Sequence, residues 1–472
     1  MNEPVAPGSH IHLIAICGVG MASLAGLLQS RGYRVTGSDQ NVYPPMSTYL
    51  AGVGIEVLPG FSKENLASRP DLVIIGNAVS RGNPEAEAVL REGIPYISFP
   101  QALGKFLIGS RQSLVIAGTH GKTTTTALAS WVLACGGLDP GFFVGGVPVN
   151  FGSGWNAGSG ATVVLEGDEY DSAFFDKGPK FLHYRPHRVI LTSIEFDHAD
   201  IYRNLDHVKE AFRKLMRLIP PDGLVIACWG YPAIQEVVRE ARCRLISYGN
   251  GTGADWQMKN IRVEQGRFSF EACYHGKCED RVDLGLIGRH NVENALAVYA
   301  LSRELGVERG KLLAGFASFS GVKRRQEIKG EWRGILVIDD FAHHPTAVQS
   351  TLDAVREAYP GRKVWALFEP RSNTSRRNVF EREFARALAV ADEIIVAGIH
   401  QAEKIPQGER LSVERVVDAI NQGRGSEHAR VIDGTDDIVA YVVRHAAPGD
   451  IILVMPNGGF GNIQDKLSRA LA

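Results

Sequence analysis

The stretch Leu114-Val115-Ile116-Ala117-Gly118-Thr119-His120-Gly121-Lys122-Thr123-Thr124 decides the fold. Four apolar residues run into a loop with two glycines, a lysine and threonines. A helical pattern then continues over residues 123–135. That order predicts strand, phosphate loop and helix. Glycines let backbone N–H groups turn toward phosphate oxygens, and the helix start adds its partial positive charge. Gly118, Thr119, His120, Gly121, Lys122, Thr123 and Thr124 therefore form the expected nucleotide loop. Lys122 is placed to reach the β and γ phosphates, and the Thr123 hydroxyl to ligate Mg²⁺. An ordinary βα turn, the competing reading, needs glycine but not Gly-Lys-Thr. The loop is shorter than the usual phosphate-loop pattern, which wants glycine where Ile116 stands.

Outward from this loop, strands and helices alternate. On its N-terminal side strands are expected at residues 11–16, 33–36, 55–57, 72–75 and 96–98, with a helix through Met21, Leu24, Ala25 and Leu28. Such βα alternation implies a parallel sheet with its ligand at the strands' carboxyl ends. On the C-terminal side strands are expected at 163–165, 189–192 and 224–227. Residues 256–286 change texture, with short alternating runs and turns at Gln265-Gly266 and His275-Gly276, which predicts an antiparallel patch. A helix over 291–305 closes that unit. Beyond Gly321 strands recur at 335–338, 364–368, 393–397 and 451–455, with helices between them. The expected architecture is three α/β domains in series, at 1–110, 111–320 and 321–472.

At 472 residues the chain exceeds the size of one core, about 250–300 residues, so two or three domains are expected. A net charge of -1 excludes a global polycation for nucleic acid or an anionic membrane. No early stretch reads as a signal peptide, and no apolar run is long enough to span a bilayer. The six cysteines are scattered; Cys273 and Cys278 alone are close together, without a second pair for a zinc site. Reduced cysteines and a cytoplasmic location are expected.

Carboxylates follow two strands of the nucleotide unit, in Glu166-Gly167-Asp168-Glu169 and in Glu195-Phe196-Asp197-His198-Ala199-Asp200. Beside a phosphate loop they suit Mg²⁺, although a solvated acidic turn and a structural histidine are the bland alternatives. Gly18-Val19-Gly20-Met21-Ala22-Ser23 opens the first helix, with Asp39 about twenty residues on. Alone this suggests a dinucleotide site or a tight βα turn.

Together these motifs resemble the Mur ligase family of ATP-dependent bacterial cell-wall enzymes, and the resemblance covers almost the whole chain. It implies a Rossmann-like N-terminal domain, a central P-loop ATPase-like domain and a Rossmann-like C-terminal domain. It also implies ATP and Mg²⁺ as cofactors. Glu166 and His198 match metal positions. Gly288-Arg289-His290-Asn291-Val292-Glu293-Asn294 resembles the adenine-contacting signature, which points to His290 and Asn294. Arg325 matches a γ-phosphate arginine, and Asp340, in Asp339-Asp340-Phe341-Ala342-His343-His344-Pro345, a ribose contact. Catalytic roles fall on Lys122, Arg325, His198 and Glu166. Many relatives carry asparagine where this chain has Ser193, and a carbamylated lysine used by some has no clear counterpart, Lys209 and Lys214 being read as helix-surface residues.

The resemblance assigns Gly18, Gly20, Ser23 and Asp39 to a UDP-sugar, with Asn77 and Arg81 beside them. Asn41-Val42-Tyr43-Pro44-Pro45-Met46-Ser47-Thr48, Glu369-Pro370-Arg371-Ser372-Asn373-Thr374 and Asn457-Gly458-Gly459-Phe460-Gly461 resemble one branch, which attaches a whole tripeptide rather than alanine. His343, His344, Arg371, Asn373 and Asn457 are the implied amine-site residues, Arg371 as a carboxylate anchor. The expected substrates are UDP-N-acetylmuramate and a peptide amine, with no nucleic-acid, membrane or obligate protein partner. The alternatives are the alanine-adding branch, an NAD-dependent oxidoreductase built on the first glycine loop, and a nucleotide-gated binding protein.

Overall fold

The computed structural model describes residues 5–43 and 46–472. Pro44 and Pro45 of the 41–48 stretch lie outside the described residues. The chain forms two compact units. One comprises Met1–Glu195, Asp206–Asp255 and Ala297–Gly315; the other comprises Phe196–Leu205, Trp256–Leu296 and Phe316–Ala472.

The first unit holds two large sheets and the short antiparallel pair Asp171–Ala173 and Asp176–Pro179. Five parallel strands lie in the order Glu56–Pro59, Arg34–Asp39, His10–Ile14, Leu72–Ile75, Tyr96–Ser98. The chain builds outward from His10–Ile14 on one side, then returns to build on the other. That reversal opens a crevice at the carboxyl ends of His10–Ile14 and Leu72–Ile75, where the first glycine loop and Asn77 sit. The second sheet centres on Gln112–Ala117, flanked in parallel by Thr162–Gly167 and Pro186–Leu191. Leu224–Cys228 and Arg244–Tyr248 extend one side; Gly141–Phe143 and the antiparallel Trp155–Asn156 extend the other. The central strands are buried along most of their length, which explains their nearly continuous apolar runs.

The second unit has an antiparallel meander, Trp256–Glu264, Arg267–Tyr274 and Lys277–Leu284. Its two hairpin turns are where the sequence places them. Gln265 and Gly266 have φ of 51° and 74°, and His275 and Gly276 have 45° and 83°, the paired positive values of a tight hairpin. The C-terminal sheet has the order Glu327–Trp332, Ile335–Asp339, Ile451–Pro456, Val364–Glu369, Glu393–Val396, Ala429–Val431. All pairs are parallel except the first. Apolar layers cover both its faces. The last strand slots between the first and second parallel strands. Residues 340–344, 371–376 and 457–461 therefore share one end of the sheet.

The expectation of uniformly reduced cysteines is corrected at one place. Cys273 and Cys278 face each other across the hairpin and are joined as a disulfide, while Cys17, Cys135, Cys228 and Cys243 stay thiols. The two cysteines are register partners because the intervening turn is short, which no spacing argument for zinc captures. Glu327–Trp332, Arg244–Tyr248 and Ala429–Val431 are strands the sequence reading did not expect. The Glu327–Trp332 strand is largely exposed and charged, so it lacks the apolar signal. Among the described residues no helix is long and apolar enough to cross a membrane.

Candidate active site

The Gly118–Thr124 loop is shaped by its neighbours. Gly118 has φ of 136°, and a Cβ there would lie 2.2 Å from Thr192 Oγ1, so only glycine fits. Gly121 adopts the left-handed conformation and opens the helix Lys122–Cys135. The loop is fastened to the chain leaving Pro186–Leu191. Thr119 N–H donates to Ser193 O at 3.0 Å, His120 N–H to Ser193 Oγ at 2.8 Å, and Thr192 Oγ1 to His120 O at 2.6 Å. His120 Nε2 lies 3.2 Å from Glu195 Oε2. Ser193 thus holds the loop through its own hydroxyl.

Lys122 is 12% exposed. Its ammonium donates to Gly118 O, to Thr119 O at 3.2 Å, and to both Glu169 oxygens at 3.1 and 2.8 Å. Burial works to lower its pKa, but Glu169, then Asp168 and Glu166, more than offset this, so the lysine is held charged. Thr123 Oγ1 donates to Glu166 Oε1 at 2.8 Å, and Gly145 N–H donates to Glu166 Oε2 at 2.8 Å. Strand order explains the convergence. Glu166 pairs in register with Ile116, two residues before Gly118. Thr124 is buried in the first turn of the helix. The Glu169 contact was not anticipated; the acidic run 166–171 marks the place but not which carboxylate reaches the lysine.

At the first glycine loop, Gly18 precedes the helix Val19–Ser30, and a Cβ at Gly20 would meet Phe99 at 3.3 Å. Asp39 is buried and accepts from Cys17 N–H and Asn41 N–H, both at 2.8 Å, so it shapes the loop backbone. Burial, reinforced by the Asp39 charge, pushes the Cys17 thiol up to about 11. Ser23 is buried, Asn77 half-buried and Arg81 exposed. Lys209 is engaged by Asp206 at 2.6 Å and Glu236 at 2.8 Å, the partners of an ordinary helix-surface lysine.

In the second unit, the residues assigned to the nucleoside gather around Gln326, which the sequence reading missed. Its amide nitrogen lies 3.4 Å from His290 Nε2, its carbonyl accepts from Asn291 Nδ2 at 2.9 Å, and its backbone N–H donates to Asp340 Oδ2 at 2.8 Å. Asn294 Nδ2 reaches Asn291 Oδ1 at 3.4 Å. Asp340 also accepts from Ala342 N–H at 2.7 Å. Burial drives its pKa up to about 6 against the pull of Arg325. Arg325 stacks on Phe341 with its guanidinium 5.0 Å from the ring centre. Gln326 has φ of 50°, a backbone state its side chain does not advertise.

Around the implied amine site, Arg371 lies across the Gly458 backbone; a Cβ there would be 2.2 Å from Arg371 Nε. Arg371 Nη1 is 3.5 Å from Glu369 Oε2, whose carboxyl is raised by burial and restrained by that arginine. Ser375 Oγ accepts from Arg371 N–H at 3.1 Å and Ser372 N–H at 3.0 Å, which shapes the turn. Arg324 donates to Pro456 O at 3.0 Å and Gly458 O at 2.6 Å. Asn457 is half-buried at the end of the last strand. His343 Nδ1 lies 3.0 Å from Phe341 O. His198 has φ of 52° and caps a turn in which Ile201 and Tyr202 N–H donate to its carbonyl, both at 2.9 Å. Asp197 is buried; burial opposes its ionisation, yet the neighbouring His198, His343 and His344 hold its carboxyl far below the usual range.

Three family models match successive segments. They are the Mur ligase family catalytic domain at residues 10–111, the Mur ligase middle domain at 155–302, and the Mur ligase glutamate ligase domain at 324–458. The chain is 41% identical over 98% of both lengths to the Escherichia coli K12 UDP-N-acetylmuramate–L-alanyl-γ-D-glutamyl-meso-2,6-diaminoheptandioate ligase. It is 35% identical to a Carboxydothermus hydrogenoformans UDP-N-acetylmuramate–L-alanine ligase, over 97% of this chain and 96% of that one. Among solved structures it resembles the murein peptide ligase of Psychrobacter arcticus, with a TM-score of 0.73, 36% identity and coverage of 98% and 99%. A Thermotoga maritima UDP-N-acetylmuramate–alanine ligase superimposes with a TM-score of 0.81 at 26% identity, over 98% of each chain. With its domains matched in order along the chain and relatives aligned over nearly its full length, the chain belongs to the Mur ligase family.

Proposed function

We propose that this enzyme joins the carboxylate of UDP-N-acetylmuramate to the free amine of L-alanyl-γ-D-glutamyl-meso-diaminopimelate, with cleavage of ATP to ADP and phosphate. The observation that carries the ligase chemistry is Lys122, held charged above the Gly118 turn beside the Thr123–Glu166 pair. A muramyl carboxylate oxygen attacks the γ-phosphorus of ATP, the bond to the β-γ bridging oxygen breaks, and ADP leaves. The peptide amine then attacks the acyl carbon; phosphate leaves with the bonding pair, and the amine's proton passes to solvent. Lys122 and Arg325 are assigned to the charge of the transferring phosphoryl group. Thr123 and Glu166 offer hard oxygen donors that fit Mg²⁺, and the resemblance assigns His198 to metal as well; the ion would neutralise phosphate charge. An α-amine with a pKa near 7.7–8.0 is roughly a tenth unprotonated at neutral pH, so positioning matters more than a strong base.

Support for the tripeptide comes from the E. coli relative and from Arg371 lying on the Gly458 backbone. A guanidinium over a glycine backbone leaves room for an extended peptide whose carboxylate it pairs. We assign the N-terminal glycine loop to the UDP-sugar, and the 340–344, 371–376 and 457–461 segments to the peptide. The work is placed in the cytoplasm, where ATP and the nucleotide sugar are at hand, and serves reuse of peptide released from the wall. Mass spectrometry of products from UDP-N-acetylmuramate and ATP, offered alanine and tripeptide together, tests this. The tripeptide adduct is expected, and a dominant alanine adduct would overturn the choice of amine.

A further inference from the structure

The turn that carries His198 is held at both ends by residues of the loops that follow strands Ile335–Asp339 and Val364–Glu369. At one end, His344 Nδ1 accepts from Thr346 N–H at 3.3 Å, which leaves Nε2–H to donate to Phe196 O at 3.2 Å. The Phe380 ring stands 4.9 Å from His344 and 6.1 Å from Phe196. At the other end, Ala199 N–H donates to the buried Thr374 Oγ1 at 3.3 Å, and Asn373 Nδ2 donates to Asp200 Oδ2 at 2.9 Å. The orientation of the Asn373 amide follows from its neighbours. Arg376 Nη2, 2.8 Å away, can only donate, so it takes Oδ1; the Asp200 carboxylate takes the amide N–H. Both polar ends of Asn373 are thus engaged within the protein. Arg376 is 8% exposed and is itself anchored to His400 O at 3.2 Å, so the platform under Asn373 is firm.

We propose that Asn373 and Thr374 are positioning residues that clasp the His198 turn, rather than contacts to the peptide substrate. Their effect runs through the backbone of residues 196–200, whose middle residue holds a positive φ that this clasp helps to maintain. Arg371, three residues before Thr374 on the same turn, is the peptide-facing group, so one turn serves the amine and the histidine. The inference rests on the ligase reading for its kinetic consequence, but not for its structural one.

The test begins on the metal-free, nucleotide-free full chain. Hydrogen exchange should quicken at residues 197–202 in the Asn373→Ala/Thr374→Val double variant while the rest of the chain keeps its protection. With all substrates, kcat should fall about tenfold, the effect of two modest hydrogen bonds, while KM for the tripeptide changes less than about twofold. Asn373→Asp places a carboxylate against Asp200 and should be impaired alike. Adding Asp200→Asn to it restores an amide–carboxylate pair in reverse and should recover kcat. Unchanged exchange together with a raised amine KM would overturn the proposal and make Asn373 a substrate contact. No recovery in the swapped pair would overturn the Asp200 bond. If the wild-type chain forms no amide from ATP and the two substrates, the ligase reading fails, while hydrogen exchange still reports on the clasp.

Discussion

At the scale of single residues, Lys122 is proposed as a charged group readied for an anion. Lys122 has given up water for Glu169 and two carbonyls, all of which a phosphate can replace at little cost in charge balance. Lys122→Ala is expected to leave the fold intact and lower kcat by an amount corresponding to about 3 kcal/mol or more, measured by ADP release with both organic substrates present. Near-normal turnover would dismiss this loop from the chemistry. Glu166 belongs to the same fabric, because its two oxygens tie Thr123 to Gly145 N–H. Glu166→Ala should raise the Mg²⁺ concentration for half-maximal rate several-fold. A titration identical to wild type would remove Glu166 from metal binding.

At the scale of elements, the N-terminal sheet carries a polar thread between adjacent strands. Arg34 can only donate, so His10 Nδ1 accepts from it at 2.8 Å. His10 Nε2–H then donates to Thr36 Oγ1 at 2.8 Å, Thr36 donates to His12 Nδ1 at 2.8 Å, and His12 Nε2–H donates to the buried Glu85 at 2.6 Å. The thread requires a neutral His10. Burial first, then Arg34 and His12, lower its pKa from the ordinary 6.5 to about 4, with Asp71 opposing. A depressed histidine stabilises the fold fully above pH 6.5, and that contribution is lost as pH falls through about 4. The expected loss is on the order of 1–2 kcal/mol, less than the full shift implies because solvent screens part of the surroundings. Denaturant unfolding between pH 7 and 4 measures it, and His10→Asn should flatten that portion of the profile. An equal slope in the variant would place the titration elsewhere.

At the scale of the whole molecule, the proposed selection of the amine rests on segments far apart in the chain. Arg371 and Gly458 meet because the last strand inserts beside Val364–Glu369. Arg371→Ala should lower kcat/KM for the tripeptide by about ten- to a hundredfold, the range for losing a charged hydrogen-bonded contact. Gly458→Ala, which displaces the same side chain, should act in the same direction. Equal losses with alanine as the amine would show that neither residue selects the peptide. The cysteine pair teaches the related lesson that register, settled by the hairpin turns, puts Cys273 opposite Cys278.

Much of this protein was legible in its residues. Alternating apolar runs announced parallel sheets, Gly118 through Thr124 announced a glycine-shaped loop between a strand and a helix, and Gln265-Gly266 and His275-Gly276 announced the hairpin turns, because backbone conformation and burial pattern are local properties. The motifs also pointed to the strand ends that are proposed to carry the chemistry. The tertiary structure decided which side chain meets which. Glu169 takes Lys122, Gln326 gathers His290, Asn291 and Asp340, and Asn373 is spoken for by Asp200 and Arg376. Those pairings depend on strand order and on turns with unusual backbone angles, which are settled by packing between distant segments. A hydrogen-bonding side chain has the same letter in the sequence whether it faces a substrate or another part of its own chain, and only the folded arrangement distinguishes the two.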